Sequence, residues 1–127
     1  HAHDHEGDHA GAEDDAGDPK QATAVAQKLC DQKVAGVVGH LQSGTTIPAA
    51  GIYNKCGIPH ITTAATNPDV TKPGYNTTYR LIANDNALGA ALAIYAADAL
   101  KLKNVAVIDD RTAYGQGLAD VFKETAK

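Results

Sequence analysis

The 127-residue chain has no Met, no Trp and a single Phe, and aromatic residues make up only 5% of it. Without a Met it cannot begin at its own initiator, so a processed, trimmed or incompletely read product is expected. No apolar run approaches the ~18 residues that a membrane-spanning helix needs, and the N-terminal segment lacks the apolar core of a secretory signal. Phosphate-loop and dinucleotide glycine patterns are missing, and no Ser or Cys stands in a nucleophile elbow. These absences argue against an enzyme. Nor is there a surplus of basic residues of the kind that binds nucleic acid. The two cysteines, Cys30 and Cys56, have no metal-type spacing to another Cys or His, which leaves one disulfide or two free thiols.

The charge is placed unevenly. Residues 1–18 hold seven Asp or Glu and no Lys or Arg, so the formal net charge of −4 comes from this head, while the body is close to neutral. The head, "HAHDHEGDHAGAEDD", contains almost nothing apolar larger than Ala. It cannot supply a core-facing strand or helix, and residues 1–17 read as an acidic, His-rich tail or linker. His1, His3, His5 and His9, interleaved with Asp4, Glu6 and Asp8, have the donor chemistry for Zn, Ni or Cu. Runs of this kind are compositional and lack fixed geometry, so an expression tag or plain linker stands beside the metal reading.

Ordered structure is expected from "DPKQATAVAQKLC" onward. Asp18 suits an N-cap, Pro19 fits the first helical position, and Gln21 is placed to reach back to the cap. Ala22, Val25, Ala26, Leu29 and Cys30 then recur on one helical face. "VAGVVGH" reads as a buried strand, followed by a helix from about Thr45 to Lys55 with Gly57 beyond its end. "IPHITTAA" is a second strand, "NPDVTKPGY" a turn or a single helical turn, and "TTYRLI" can form a short strand. A long helix is expected over 84–102, capped by Asn84 or Asp85, with Leu88, Leu92, Tyr95, Ala99 and Leu102 on its apolar side. "NVAVIDD" reads as a further buried strand, and "YGQGLADVFKETAK" as a last helix with Leu118, Val121 and Phe122 inward. Alternating helices and strands imply an α/β layer with a parallel sheet and flanking helices. Ligands of such sheets gather outside the carboxyl ends of the strands.

Three loops therefore matter. Gln42, Ser43, Gly44, Thr45 and Thr46 open a helix, whose first-turn N–H groups carry roughly half a positive charge and favour a carboxylate or phosphate. Simple capping by these hydroxyls is the plainer alternative, and the two roles are compatible. Thr62 to Thr66 are small, leaving a cavity whose free carbonyls can accept from an ammonium. After the last strand, Tyr114 can wall a pocket with an apolar face and a polar tip. Together these groups suit an amino-acid zwitterion. Asp109 and Asp110 are adjacent, so on a strand they diverge and make no acid–base pair. His40 and His60 are expected to be packed, hydrogen-bonded histidines.

The segments "DDAGDPKQA", "GVVGHLQSGTTIPAAGIY", "GIPHITTAATNP", "YRLIANDN" and "VAVIDDRTAYGQGLA" resemble, in order, the first lobe of the periplasmic binding proteins for branched-chain amino acids (leucine, isoleucine, valine), which serve ABC transporters. The resemblance runs from about Glu13 to the end. It implies one lobe of a type I periplasmic binding protein in flavodoxin-like strand order with the first strands missing, residues 18–127 forming a partial N-terminal lobe without its second lobe. It further implies a non-enzymatic periplasmic receptor that needs no cofactor and hands amino acids to a membrane permease. By position, Ser43 would bind the carboxylate, the Ala64 carbonyl would accept from the ammonium, and Ala65 would line the cavity. Thr66 would contact both charged groups and Tyr114 would flank the side chain. An amide- or urea-binding relative shares the lobe, and a metal-binding role for the His-rich head is the reading from another class. Cysteines that the family carries near "DDAGDP" and "GHLQS" are Gly17 and Gln42 here, so that bridge cannot form. Cys30 and Cys56 end two consecutive crossover helices that can lie side by side, and a Cys30–Cys56 disulfide is expected, in keeping with an oxidising periplasm. The absent first strand would uncover an edge beside residues 34–39, where either pairing with another chain or filling of the gap by residues outside this sequence is expected.

Overall fold

The computed structural model describes residues 11–127. Helix α1 spans Pro19–Asp31; Asp18 caps it, its Oδ1 accepting from the Lys20 amide at 3.0 Å. Gln21 does not close a capping box, for its Nε2 donates instead to the Asp14 carbonyl at 3.0 Å. That contact, together with Glu13–Lys28 at 2.6 Å and Asp15–His40 at 2.6 Å, moves the edge of the expected tail. From Glu13 onward the acidic segment is fastened to the body, because the Lys28 ammonium on α1 and the His40 ring at the end of the first strand lie within reach.

Helix α2 spans Ser43–Cys56, two residues earlier than the sequence suggested, and closes at Gly57 in the left-handed conformation with φ 73°. A residue with a Cβ is disfavoured there, and glycine is not. Helices α1 and α2 pack against each other through Ala26, Ala49, Tyr53 and Ile58, with Leu29, Val34, Val37 and Ile52 around them. Their C-terminal ends are joined by the Cys30–Cys56 disulfide, S–S 1.97 Å.

The sheet has three parallel strands in the order β1 (Val37–Val38), β2 (His60–Thr62) and β3 (Thr78–Arg80). Its register pairs Val37 with His60 and Thr78 in one row, and Val38 with Ile61 and Tyr79 in the next. Side chains alternate across a strand, so these rows face opposite ways. His60, Thr62 and Thr78 are buried, whereas Val38 is 82% and Tyr79 54% exposed. Only one face of the sheet is covered by the described residues.

Two expectations fail beyond β3. The run "NVAVIDD" pairs with no strand among the described residues, and Ile108 is 92% exposed. A β-branched run can form a ladder only where a neighbour presents its free edge, and this segment lies along the helices rather than beside β3. The long helix also divides. Helix α3 covers Asp85–Ile94, capped by Asn84, and passes into a π-helical turn over Tyr95–Ala99, with Leu100 N–H bonding to the Tyr95 carbonyl. Its contact with α4 (Ala113–Thr125) runs through buried Gly89 and Ala93 instead of the expected leucine stripe. Leu88, Leu92 and Tyr95 stay exposed because a glycine lets the two helix backbones approach on its own side. Among the described residues no helix is long and apolar enough to cross a membrane.

Candidate functional site

The candidate site lies where the carboxyl ends of β1 and β2 meet the N-termini of α2 and α4. The bend after β1 is held by a buried polar chain. His40 Nδ1 is 2.6 Å from Asp15 Oδ2, and its Nε2 is 2.9 Å from the Tyr53 hydroxyl. An ionised carboxylate only accepts, so Nδ1 donates to Asp15, and the Tyr53 hydroxyl is the partner of Nε2. Partial burial raises the Asp15 pKa, but hydrogen bonds from His40 and the Gly17 amide, with the His40 charge, outweigh it and hold the carboxyl below its ordinary 3.8. Burial, helped by the nearby Asp15 charge, pushes the Tyr53 hydroxyl up to about 12. His60 is buried against Tyr53 and bonded through Nε2 to the Thr78 hydroxyl at 2.9 Å; desolvation lowers its pKa from 6.5, against the opposing bond to the Gly39 carbonyl. His40 and His60 are thus bonded core groups.

The His40 carbonyl is a second tie, accepting from Thr62 Oγ1 at 2.7 Å and lying 3.1 Å from Thr46 Oγ1. Thr62 Oγ1 in turn accepts from the amides of Ala65 at 3.1 Å and Ala64 at 3.4 Å. The loops after β1 and β2 are therefore locked together by threonine hydroxyls. Capping at α2 is not done by Ser43: Thr45 and Thr46 hydroxyls bond to the Gln42 carbonyl, and Gln42 makes no side-chain cap. The amides of Ser43 and Gly44 meet no acceptor among the described residues, which leaves two N–H groups at a helix N-terminus for an anion.

Ser43, Ala64, Ala65 and Thr66 come together here. Ser43 is buried and its Oγ accepts from the Asn67 amide at 3.2 Å, so the start of α2 abuts the residue after Thr66. Tyr114 stands apart from this cluster, on the first turn of α4. It is 43% exposed and, with Ile108, Asp110 and Leu118, lines an open groove of about 540 Å³. Its neighbour Ala113 does reach the cluster, through an Asn67 Nδ2 bond to its carbonyl at 2.7 Å.

Asn67 and Arg80 were not singled out in the sequence. Asn67 joins α2, α4 and the short 3₁₀ turn Pro68–Val70 at once, its Oδ1 also accepting from the Asp69 amide. The signal was available as an Asn before Pro-Asp, an Asx-turn pattern. Arg80 braces the same loop from β3, with Nη1 on the Asn67 carbonyl at 2.8 Å and Nη2 on Thr71 Oγ1 at 3.2 Å. Gly17 faces Gln42: a Cβ on Gly17 would lie 3.2 Å from Gln42 Oε1. The histidines considered for metal, His1, His3, His5 and His9, lie outside the described residues. Among the described residues no group of three or more His, Cys, Asp or Glu could hold a metal ion.

The family model described as periplasmic binding protein matches residues 11–127. The chain belongs to that family. An amino acid binding protein of Pseudomonas aeruginosa is 49% identical over 111 residues, covering 87% of this chain and 30% of that protein. Among solved structures, a leucine-binding protein from Thermotoga maritima superposes with a TM-score of 0.84 at 30% identity, covering 89% of this chain and 33% of that one. A branched-chain amino acid transporter substrate-binding protein from Streptococcus pneumoniae, in complex with isoleucine, gives 0.81 at 30% identity, covering 91% and 33%. The chain spans about 30% of the length of the curated relatives it matches. It is a fragment of the family's fold, with the parallel sheet and flanking helices of a partial type I lobe.

Proposed function

We propose that this chain is part of a receptor that captures a branched-chain amino acid for ABC-transporter uptake. The observation that carries the reading is the Asn67–Ser43 bond of 3.2 Å, which holds the two free amides at the start of α2 against the small-residue loop Ala64–Thr66. Amides and the Ser43 hydroxyl suit a carboxylate, the Ala64 carbonyl and Thr66 hydroxyl suit an ammonium, and the alanines leave room beside them. A zwitterion held this way undergoes no bond change and needs no cofactor, so the protein is a carrier and not an enzyme. Residues 18–127 act as part of an N-terminal lobe, and a second lobe closes over the bound ligand by a hinge motion. Delivery to a membrane permease places the protein in the periplasm, where the Cys30–Cys56 disulfide is stable. Tyr114, at the lobe edge, flanks the ligand side chain. The outer edge of β1, which carries no strand among the described residues, is a surface for self-association.

Calorimetric titration of the full-length protein with leucine, isoleucine, valine, acetamide and urea tests the reading. Binding of the branched-chain acids with no heat from acetamide or urea is expected, and the reverse order of preference would overturn it. Nickel and zinc titrations with and without residues 1–12 test the separate metal reading of the His-rich head. Sedimentation of the 127-residue chain tests the edge, since a monomer at every concentration would contradict self-association.

A further inference from the structure

We infer that Asn67 is a positioning residue for side-chain selectivity: its amide group holds the first turn of α4, and Tyr114 with it, at a fixed distance from the Ser43 hydroxyl. The inference rests on the amino-acid reading above and adds to it a residue that acts through others and not on the ligand. Asn67 is buried, and it meets both halves of the pocket at once. Its backbone amide donates to Ser43 Oγ at 3.2 Å, and its Nδ2 donates to the Ala113 carbonyl, next to Tyr114, at 2.7 Å. Because the Asn67 amide takes a lone pair of the Ser43 oxygen, the hydroxyl hydrogen is left free to donate to a carboxylate.

The Nδ2 bond is surplus to each of the two elements that it joins. The loop is already held by other groups of Asn67: its Oδ1 accepts from the Asp69 amide at 2.8 Å, and its carbonyl accepts from Arg80 Nη1 at 2.8 Å and from the Val70 amide at 3.1 Å. The start of α4 is likewise held from within, since Thr112 Oγ1 accepts from the Gly115 amide at 3.0 Å and Asp110 Oδ1 from the Thr112 amide at 2.9 Å. What the bond adds is the placement of one element against the other. Among the described residues it is the one side-chain hydrogen bond that joins residues 11–83 to α4, and no ion pair makes that link.

Two glycines make room for this contact. The start of α4 touches the first turn of α2, where a Cβ on Gly44 would lie 3.9 Å from Ala113 Cβ. One turn further along α4, a Cβ on Gly117 would lie 2.8 Å from Asn67 Nδ2 and 3.6 Å from Asn67 Cγ. A glycine inside a helix weakens it relative to alanine, so Gly117 gives up helix stability and seats the amide. Selectivity follows from reach. Tyr114 walls the side-chain end of the pocket, whereas the carboxylate and ammonium groups of the ligand meet α2 and the loop after β2. A shift of α4 therefore moves the wall and leaves the contacts of the zwitterion in place.

The experiment compares leucine with free alanine, which shares the zwitterion and has too little side chain to reach Tyr114. Titrations use the full-length protein as wild type, Asn67→Ser, Gly117→Ala and the double variant, with circular dichroism to establish folding. Asn67→Ser keeps a hydroxyl acceptor for the Asp69 amide but is too short to reach Ala113. In Gly117→Ala the struck group is the end of a short side chain, so the amide gives way and its bond to Ala113 breaks while the other bonds of the loop stay. Each single variant should weaken leucine about tenfold, the worth of one buried hydrogen bond, and alanine less than about threefold. The double variant should lie within about threefold of the weaker single variant, because both changes remove the same contact. Leucine binding within about threefold of wild type in both single variants would overturn this inference alone and leave the amino-acid reading standing. Equal losses for the two ligands, which mean a brace for the whole site, or losses that multiply in the double variant would also overturn it. Should Asn67→Ser not fold, Gly117→Ala decides with the same two ligands; should alanine bind too weakly to measure, the double variant decides with leucine alone. A wild-type protein that binds no α-amino acid would overturn this inference and the proposed function together.

Discussion

Substituting Gly89 sets two effects of known sign against each other. On the one hand, Ala in place of Gly inside a helix stabilises by about 0.5–1 kcal/mol, because the unfolded chain has less freedom to lose. On the other hand, a Cβ at Gly89 would lie 2.7 Å from Val121 Cγ1, 2.8 Å from Val121 Cβ and 3.3 Å from the Leu118 carbonyl oxygen. Val121 is β-branched and stiff at χ1, so it cannot simply swing aside, and α3 and α4 must separate. Overpacking of this kind costs about 1–3 kcal/mol. The packing term wins, and Gly89→Ala should destabilise the chain by about 1 kcal/mol. With an unfolding entropy of about 2.1 cal/mol/K per residue, that is a Tm lower by about 4 °C for a chain of this length. Scanning calorimetry measures it, and Val121→Ala placed in the Gly89→Ala background should recover part of the loss, because it removes the struck Cγ1 while the Cβ at 2.8 Å remains. A Gly89→Ala protein at or above the wild-type Tm would refute the close contact between the two helices.

Four further outcomes are expected. Replacing Cys30 and Cys56 together by Ser, across a sequence separation of 26, should cost about 3–4 kcal/mol in urea unfolding; an unchanged midpoint would remove the cross-link from the account of stability. Tyr53→Phe leaves His40 Nε2 without its buried partner and should cost about 1–3 kcal/mol, and in wild type Tyr53 should resist alkaline ionisation until about pH 12 by ultraviolet absorbance. His60 has a lowered pKa, so its contribution is complete above the ordinary 6.5 and is lost as pH falls from there toward the folded-state value. Asp15, also lowered, adds a second loss as pH falls below 3.8, so urea midpoints should decline in two stages on acidification, and His60→Gln should abolish the first. Ser43→Ala should weaken amino-acid binding about tenfold or more, as a donor to a bound carboxylate is lost, while stability falls by about 1–3 kcal/mol because the Asn67 amide loses its acceptor.

What could be read in advance follows the range of the physics involved. The ends of α1 and α2 depend on neighbours in sequence: Asp18 and Pro19 start one helix and Gly57 stops the other, so local chemistry was enough. The β-branched runs marked two parallel strands beside them, and the strand ends pointed to Ser43 and the Ala64–Thr66 loop. Asn67 escaped notice because its importance lies in contacts to Ser43 and Ala113, 24 and 46 residues away. Asp85 looked like one of two possible caps; only its complete burial beside Asn84 separates the two roles.

The misread segments share one cause. An apolar pattern states which side of an element needs covering, but not which neighbour will cover it. "NVAVIDD" has the same β-branched make-up as "VAGVVGH", yet the second finds β2 through Val37 N–H to the Pro59 carbonyl and Gly39 N–H to the Ile61 carbonyl, and the first finds no ladder among the described residues. In α3 the leucines announced an inward face at a spacing of four, and the contact formed on the Gly89–Ala93 side, also a spacing of four. Two stripes with the same period competed for one partner, and backbone proximity decided in favour of the smaller residues. Shape settled what hydrophobicity had left open, and it left Leu88, Leu92, Tyr95 and Ile108 patterned for burial and uncovered by the described residues.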